Sequence, residues 1–204
     1  CVARCEESVS GKRVFSMSIG HSEASEAVQQ ASKMALHYIE EHVPIKPEWA
    51  LLELGCGTGG LSLELASKAK SIVGVDISPN LIAQFNEKIR QKNLTHVKGV
   101  CVDLSPNLKL DEGPFDFVFS SLVLHHIPDI PFIMELVTKY LKVGGKIAFV
   151  DYQSHEESQL FHAPDARSQT PHHGIAVEYM FEVLEMFPEL GDFYLSPNLF
   201  SIDV

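Results

Sequence analysis

Cysteine is scarce in this chain. Cys1, Cys5, Cys56 and Cys101 are the four among 204 residues, and no two stand in a C-x-x-C or Cys/His zinc spacing. A disulfide framework and a zinc centre therefore have no basis. Cys56 and Cys101 are expected to be reduced, as small packing residues rather than nucleophiles. Long apolar runs are missing too: the longest, such as 115–124, fall well short of the roughly 18 residues a bilayer-crossing helix needs. No charged segment followed by an apolar one opens the chain. A soluble, cytoplasmic protein with no membrane partner is expected. Cys1 stands where a full chain would have Met, so trimming and the loss of a targeting segment remain open alternatives. Basic residues are the third shortage, 16 Lys and Arg against 27 Asp and Glu, for a formal net charge of −11. Affinity for nucleic acid rests on Lys and Arg neutralising phosphates, so DNA and RNA are unexpected partners.

What is present is a strand and helix rhythm. Residues 1–21 carry no period and are expected to form an N-terminal arm. A helical pattern follows over 22–43, with Val28, Ala31, Ala35, Ile39 and Val43 three or four apart, and ends at the breaker Pro44-Ile45-Lys46-Pro47. Apolar strands are predicted at 50–54, 71–77, 96–104, 115–122 and 146–152, and helices at 59–70, 79–93 and 130–141. Strands joined by helical crossovers make an α/β fold, a mostly parallel central sheet with helices on both faces. Ligands of such sheets bind at the carboxyl ends of the strands. A polar insertion over 153–174 holds His155, His162, His172 and His173, and loops of that length are often lids. A helix at 175–187 and two extended pieces, 193–195 and 199–204, close the chain. They leave room for one strand and part of an antiparallel partner, so the C-terminal edge of the sheet is expected to be incomplete or the chain trimmed. The domain is taken as 22–204, with a ligand-binding core at 48–152.

The stretch 51–60, LLELGCGTGG, lies between the first strand and its helix and satisfies two templates. Gly55, Gly57 and Gly60 give the G-x-G-x-x-G of a dinucleotide turn; Gly55, Gly57 and Gly59 give G-x-G-x-G with an acid, Glu53, two residues upstream. Asp76, 21 residues after Gly55 at the end of the second strand, could accept both hydroxyls of a ribose in either case. A pyrophosphate beside Glu53 would be repelled, whereas a ligand bearing an ammonium and a sulfonium would not. Asp103, closing the third predicted strand, could accept from the amino group of adenine.

Together these segments resemble the class I S-adenosylmethionine-dependent methyltransferases. The resemblance spans roughly 48–152: Glu53-Leu54-Gly55-Cys56-Gly57-Thr58-Gly59, Val75-Asp76-Ile77-Ser78, Val102-Asp103-Leu104, Phe115-Asp116-Phe117-Val118, Leu122-Val123-Leu124-His125-His126-Ile127-Pro128-Asp129 and Leu141-Lys142-Val143-Gly144-Gly145-Lys146. It implies a seven-stranded Rossmann-like sheet, S-adenosylmethionine as cofactor with S-adenosylhomocysteine as product, and a small-molecule acceptor. It also implies that Gly55, Cys56 and Gly57 pass beneath the methionine moiety while Glu53 orients its amino end. Asp76 would grip the ribose and Ile77 pack on the adenine, with Asp103 and Leu104 fixing the adenine edge and Ser120 and Ser121 lining the methionine side. For Ile77 and Leu104, plain core packing is the competing reading.

Methyl transfer needs the acceptor held close and desolvated, and a base is optional. For a phenol, enol or amine, a histidine could take the proton. The catalytic candidates are His125 and His126 after the fourth strand, Tyr152 at the end of the fifth, and His172 and His173 in the insertion. For each, a structural or solvated role competes. No H-x-x-x-H pair with a carboxylate supports a metal. Ser120-Ser121-Leu122 stands where an Asn/Asp-Pro-Pro-Tyr would mark amino-methylation of bases or glutamine, so that chemistry is not indicated. A protein or RNA methyltransferase, a hydride-transfer enzyme and a cofactor-binding regulatory subunit without chemistry are the alternatives. The acceptor and the oligomeric state are not legible.

Overall fold

Strands buried on both faces read as short continuous apolar runs, and here they occupy the middle of the molecule. A computed structural model describes residues 26–106, 108–154, 170–190, 193–196 and 199–203. The expected arm at 1–21, and His155 and His162 of the insertion, lie outside these residues. In chain order the elements are α1 (Glu26–His42), β1 (Ala50–Leu54), α2 (Gly60–Leu65), β2 (Ser71–Asp76), α3 (Pro79–Gln91), β3 (Val97–Cys101) and β4 (Phe115–Ser121). They continue with α4 (Ile130–Tyr140), β5 (Leu141–Val150), α5 (Val177–Glu185), β6 (Phe193–Ser196) and β7 (Leu199–Asp203). Among the described residues, seven strands form one sheet in the order β3-β2-β1-β4-β5-β7-β6.

The pairs from β3 through β5 are parallel, and β7 pairs antiparallel with both β5 and β6. The Rossmann-like α/β architecture expected from the sequence is therefore present. The C-terminal edge is fuller than expected: both short extended pieces form strands, because β7 enters between β5 and β6 and gains a partner on each side. No helix among the described residues is long and apolar enough to cross a membrane.

Alternation along each strand splits the core between the two faces. Leu52, Leu54, Val73, Val75 and Val118 face α4 and α5. Leu51, Ile72, Phe117 and Phe119 face α1, α2 and α3. Phe115 has the parity of Phe117 yet packs on the opposite side, because the β4–β5 register shifts between Phe115 and Phe117. The same irregularity lets β5 begin at Leu141, opposite Phe115, rather than at the expected 146. β3 stops at Cys101, short of the expected 104, where its partner β2 runs out at Asp76. The helix expected at 59–70 is α2 followed by a 3-10 turn at Ala66–Lys68.

Helices α3 and α4 start at sequence-encoded caps. Ser78 accepts from Leu81 N–H ahead of Pro79 at the opening of α3, and Asp129 accepts from Phe132 N–H at the opening of α4. From α3, fully buried Phe85 lays its ring into a slot without side chains. A Cβ added at Gly59 would come within 2.0 Å of that ring, and one at Gly74 or Gly99 within 2.8 Å. Three glycines from a loop and two strands thus admit one aromatic ring. Phe85→Ala is expected to lower stability by about 3–5 kcal/mol, read from urea unfolding, because the slot cannot collapse onto a methyl group.

Candidate functional site

The order reversal between β1 and β4 opens a crevice at the carboxyl ends of the strands, where an open α/β sheet binds ligands. The glycine loop leaving β1 forms its floor. Gly55, Gly57 and Gly59 all have positive φ, at 63°, 53° and 78°, a region costly for residues with a Cβ. Backbone bonds from Cys56 N–H to Val75 O (2.9 Å) and from Gly59 N–H to Cys56 O (2.8 Å) close the loop against the end of β2. Asp76 completes the closure: Oδ2 accepts from Gly57 N–H and Oδ1 from Ser78 N–H, each at 2.8 Å. Lys88 of α3 adds a hydrogen bond to Thr58 Oγ1 at 2.9 Å.

The crevice walls are of mixed character. Ile77 is 38% exposed, an apolar surface immediately beyond Asp76. Exposed Asp103 and half-buried Leu104 follow the end of β3, held there by Val102 N–H on Asp76 O at 3.0 Å. Ser120 at the end of β4 is buried, and its Oγ has no hydrogen-bond partner among the described residues. Half-buried Ser121 follows it. Cys56 is buried, and burial pushes its thiol well above its ordinary range, with the charges of Glu53 and Asp76 adding to the effect. It is a packing group, as expected.

Glu53 of β1 is tied to α2. It is buried, and its Oε2 accepts from both the backbone N–H (3.1 Å) and the hydroxyl of Ser62 on α2. Burial pushes its carboxyl up to about 8, the two Ser62 hydrogen bonds oppose that shift, and the charge of Asp76 adds to it. Glu53 thus ties β1 to α2, largely uncharged near neutral pH.

Beyond β4 the chain turns sharply. Leu122 has φ 58°, uncommon for a residue with a side chain, and donates its N–H to Val150 O at 2.8 Å. The turn sets Val123 directly over the glycine loop, where a Cβ at Gly55 would come within 2.4 Å of a Val123 methyl. Next comes the 3-10 turn Leu124–His126. His125 is buried with its Nδ1 2.5 Å from Asp151 Oδ1, and Asp151 is buried just past β5. The His126 ring lies 3.8 Å and the Tyr152 ring 5.3 Å from that of His125, centre to centre. His172 donates its N–H to His125 O at 3.1 Å, and its ring lies 6.0 Å from that of Tyr179. Its Nε2 is buried with no hydrogen-bond partner among the described residues. Half-buried His173 follows it.

The family model described as a methyltransferase domain matches residues 52–149. An uncharacterized methyltransferase of Schizosaccharomyces pombe is 31% identical over 63% of this chain and 49% of its own length. A ubiquinone biosynthesis O-methyltransferase of Coxiella burnetii is 28% identical over 73% of this chain and 58% of that one. The YcgJ protein of Bacillus subtilis superposes with a TM-score of 0.69 at 16% identity, covering 79% of this chain and 70% of its own. Over residues 52–149 the chain carries a methyltransferase domain, similar to those of the class I S-adenosylmethionine-dependent methyltransferases. It spans about half the length of the curated relatives it matches.

The cofactor that goes with such a domain is S-adenosylmethionine, and the crevice fits it. A Cβ at Gly57 would meet nothing within 4 Å, so the loop faces open space there. Asp76 has spent two of its acceptor directions and keeps others for hydroxyls. An exposed apolar Ile77 and an unsatisfied Ser120 hydroxyl border the same ends of the sheet. Among the described residues no group of His, Cys, Asp or Glu is arranged to hold a metal ion.

The structure brings Gly55, Cys56, Gly57, Asp76 and Ile77 together with Ser120 and Ser121 at the strand ends, with Glu53 of β1 bonded to Ser62 beside them. On the other side it joins His125, His126, Tyr152 and His172 around Asp151. Sequence reasoning missed two residues. Ser62 follows α2 geometry that no motif signals. Asp151 had a signal, an acid at the carboxyl end of a strand, as in Glu53, Asp76 and Asp103.

Two outcomes are expected. Gly55→Ala should cost about 2–5 kcal/mol, from left-handed backbone strain plus the collision with Val123. Adding Val123→Ala should restore only the collision part, a coupling that urea unfolding of both variants would measure. For Glu53, the folded state keeps a proton that the unfolded chain releases near 4.5, so this group's contribution declines as pH rises from about 4.5 to about 8. Glu53→Gln should remove that decline and gain on the parent protein across the window in thermal unfolding.

Proposed function

We propose that this chain transfers the methyl group of S-adenosylmethionine to a small-molecule acceptor. The observation that carries the reading is the glycine loop: clasped by Asp76, free of side-chain atoms over Gly57, and flanked by exposed Ile77 and the unpartnered Ser120 hydroxyl. S-adenosylmethionine, when bound, supplies an electrophilic methyl group on a sulfonium. The residues of the chain supply the rest. Asp76 takes the ribose hydroxyls, Ile77 offers its apolar face to the adenine, and Asp103 and Leu104 meet the adenine edge. Ser120 and Ser121 line the methionine side, beside Gly55, Cys56 and Gly57. Glu53 contributes indirectly, by holding β1 to Ser62.

His125 with its neighbours His126, Tyr152, His172 and His173 forms the acceptor side. Burial, and then the charge of Asp151, push the Tyr152 hydroxyl up, so it stays protonated and can only donate or accept a hydrogen bond. Proton removal from a phenol, enol or amine falls to a histidine. A small molecule is favoured by the net charge of −11, which disfavours a polyanion, and by the quinone chemistry named for the Coxiella relative.

Calorimetry with S-adenosylhomocysteine tests the cofactor half. Asp76→Ala should weaken binding about 10- to 100-fold, the range for losing hydrogen bonds to a charged group. A folded sample that gives no heat with either S-adenosylmethionine or S-adenosylhomocysteine rejects the reading. Label transfer from the methyl donor to panels of phenols, amines, peptides and RNA tests the acceptor half; incorporation into peptide or RNA alone would replace the small-molecule assignment.

A further inference from the structure

The geometry points to Asp151 as the positioning residue of the acceptor side, holding His125 as the neutral tautomer with its proton on Nδ1, so that Nε2 carries the proton-accepting lone pair. The use of that lone pair rests on the methyltransferase reading; the tautomer itself does not.

Asp151 lies immediately after β5, only 2% exposed, and its carboxylate meets two backbone N–H donors and one ring nitrogen. Oδ1 takes Tyr152 N–H at 2.7 Å and faces His125 Nδ1 at 2.5 Å, while Oδ2 takes His125 N–H at 3.4 Å. An ionised carboxylate only accepts, so the ring nitrogen facing Oδ1 must be the one bearing hydrogen. In a neutral imidazole the other nitrogen is then the acceptor. The opposite tautomer would set the Nδ1 lone pair against a carboxylate oxygen at 2.5 Å inside the protein, where unmatched acceptors are costly.

The same carboxylate orders the surroundings. By gripping both the backbone and the ring of His125 it fixes the turn after β4, and by taking Tyr152 N–H it fixes the start of the insertion. His172 is attached in turn through His125 O. His126, whose ring rests 3.8 Å from that of His125, inherits its place from the same turn. Four of the five acceptor-side candidates thereby depend on one residue that none of the motifs contains. A buried charge with hydrogen-bonded partners around it is a group whose loss is felt as lost order.

The test is long-range nitrogen–proton NMR of the chain labelled with 15N-histidine, at pH 7.5, with the His125 resonances assigned from a His125→Gln variant. The expected pattern is a protonated Nδ1 and an unprotonated Nε2 for His125. Asp151→Asn should move that pattern towards the Nε2–H tautomer or a mixture, because an amide presents one acceptor where the carboxylate presents two. Spectra of the parent protein alone can overturn the proposal: an Nε2–H tautomer or a doubly protonated ring at His125 rejects it, even if Asp151→Asn fails to fold. A folded Asp151→Asn variant with unchanged His125 signals rejects it as well. Calorimetry with S-adenosylhomocysteine on the same samples separates the two readings. Binding with the wrong tautomer removes the role of Asp151 alone, and the expected tautomer without binding removes the methyltransferase reading alone.

Discussion

The cofactor side depends on the grip of Asp76 on Gly57. The carboxylate closes β2 and reaches sideways to the loop that closes β1, so two neighbouring strands end in one hydrogen-bonded unit. Because Gly57 has a positive φ, its N–H points where an ordinary extended residue would not place it, and a charged acceptor holds it there. The other oxygen of Asp76 takes Ser78 N–H, and Ser78 in turn caps α3. Loop shape, strand ends and helix start are therefore set by a single side chain. Phe85, entering the glycine slot from α3, works from the opposite direction, pressing that helix onto the strands whose ends Asp76 joins.

Such a clasp gives the crevice a shape before any ligand arrives. Rigid donors and acceptors lose little freedom on binding, and affinity then depends more on fit than on rearrangement. The histidine cluster after β4 is arranged by the same kind of device: the buried carboxylate of Asp151 and a strained turn at Leu122. The two sides touch where Val123 rests on Gly55. The glycine at 55 is thus demanded by a neighbouring loop at least as much as by a cofactor, a cause that a motif cannot reveal.

Most of the fold was legible because the relevant signals are local. Apolar runs marked β1, β2 and β4, Pro79 and Asp129 marked helix starts, and the spacing of Asp76 from the glycines marked its place beside them. The misreadings share a different cause, contacts between elements distant in sequence. β3 ends early because its partner does, β5 begins early because of a bulge, and β6 and β7 exist because each completes the other's hydrogen bonding. The motif position of Glu53 was evident, while its bond to Ser62 depends on where α2 places that residue. Asp151 was legible in principle, as an acid at a strand end, yet its value comes from a histidine 26 residues earlier in the chain.

The two ends of the insertion after β5 meet. Ile175 N–H donates to Tyr152 O at 2.7 Å, Ser154 N–H to Ile175 O at 3.0 Å, and Gln153 bridges Ile175. Gly174 makes the approach possible: a Cβ there would lie 2.9 Å from the backbone of Gln153 and Ser154. Once a stem of this kind is closed, lengthening the chain it encloses is cheap, about 0.6 kcal/mol for each doubling. Changes of length between Ser154 and Gly174 should therefore cost the fold little.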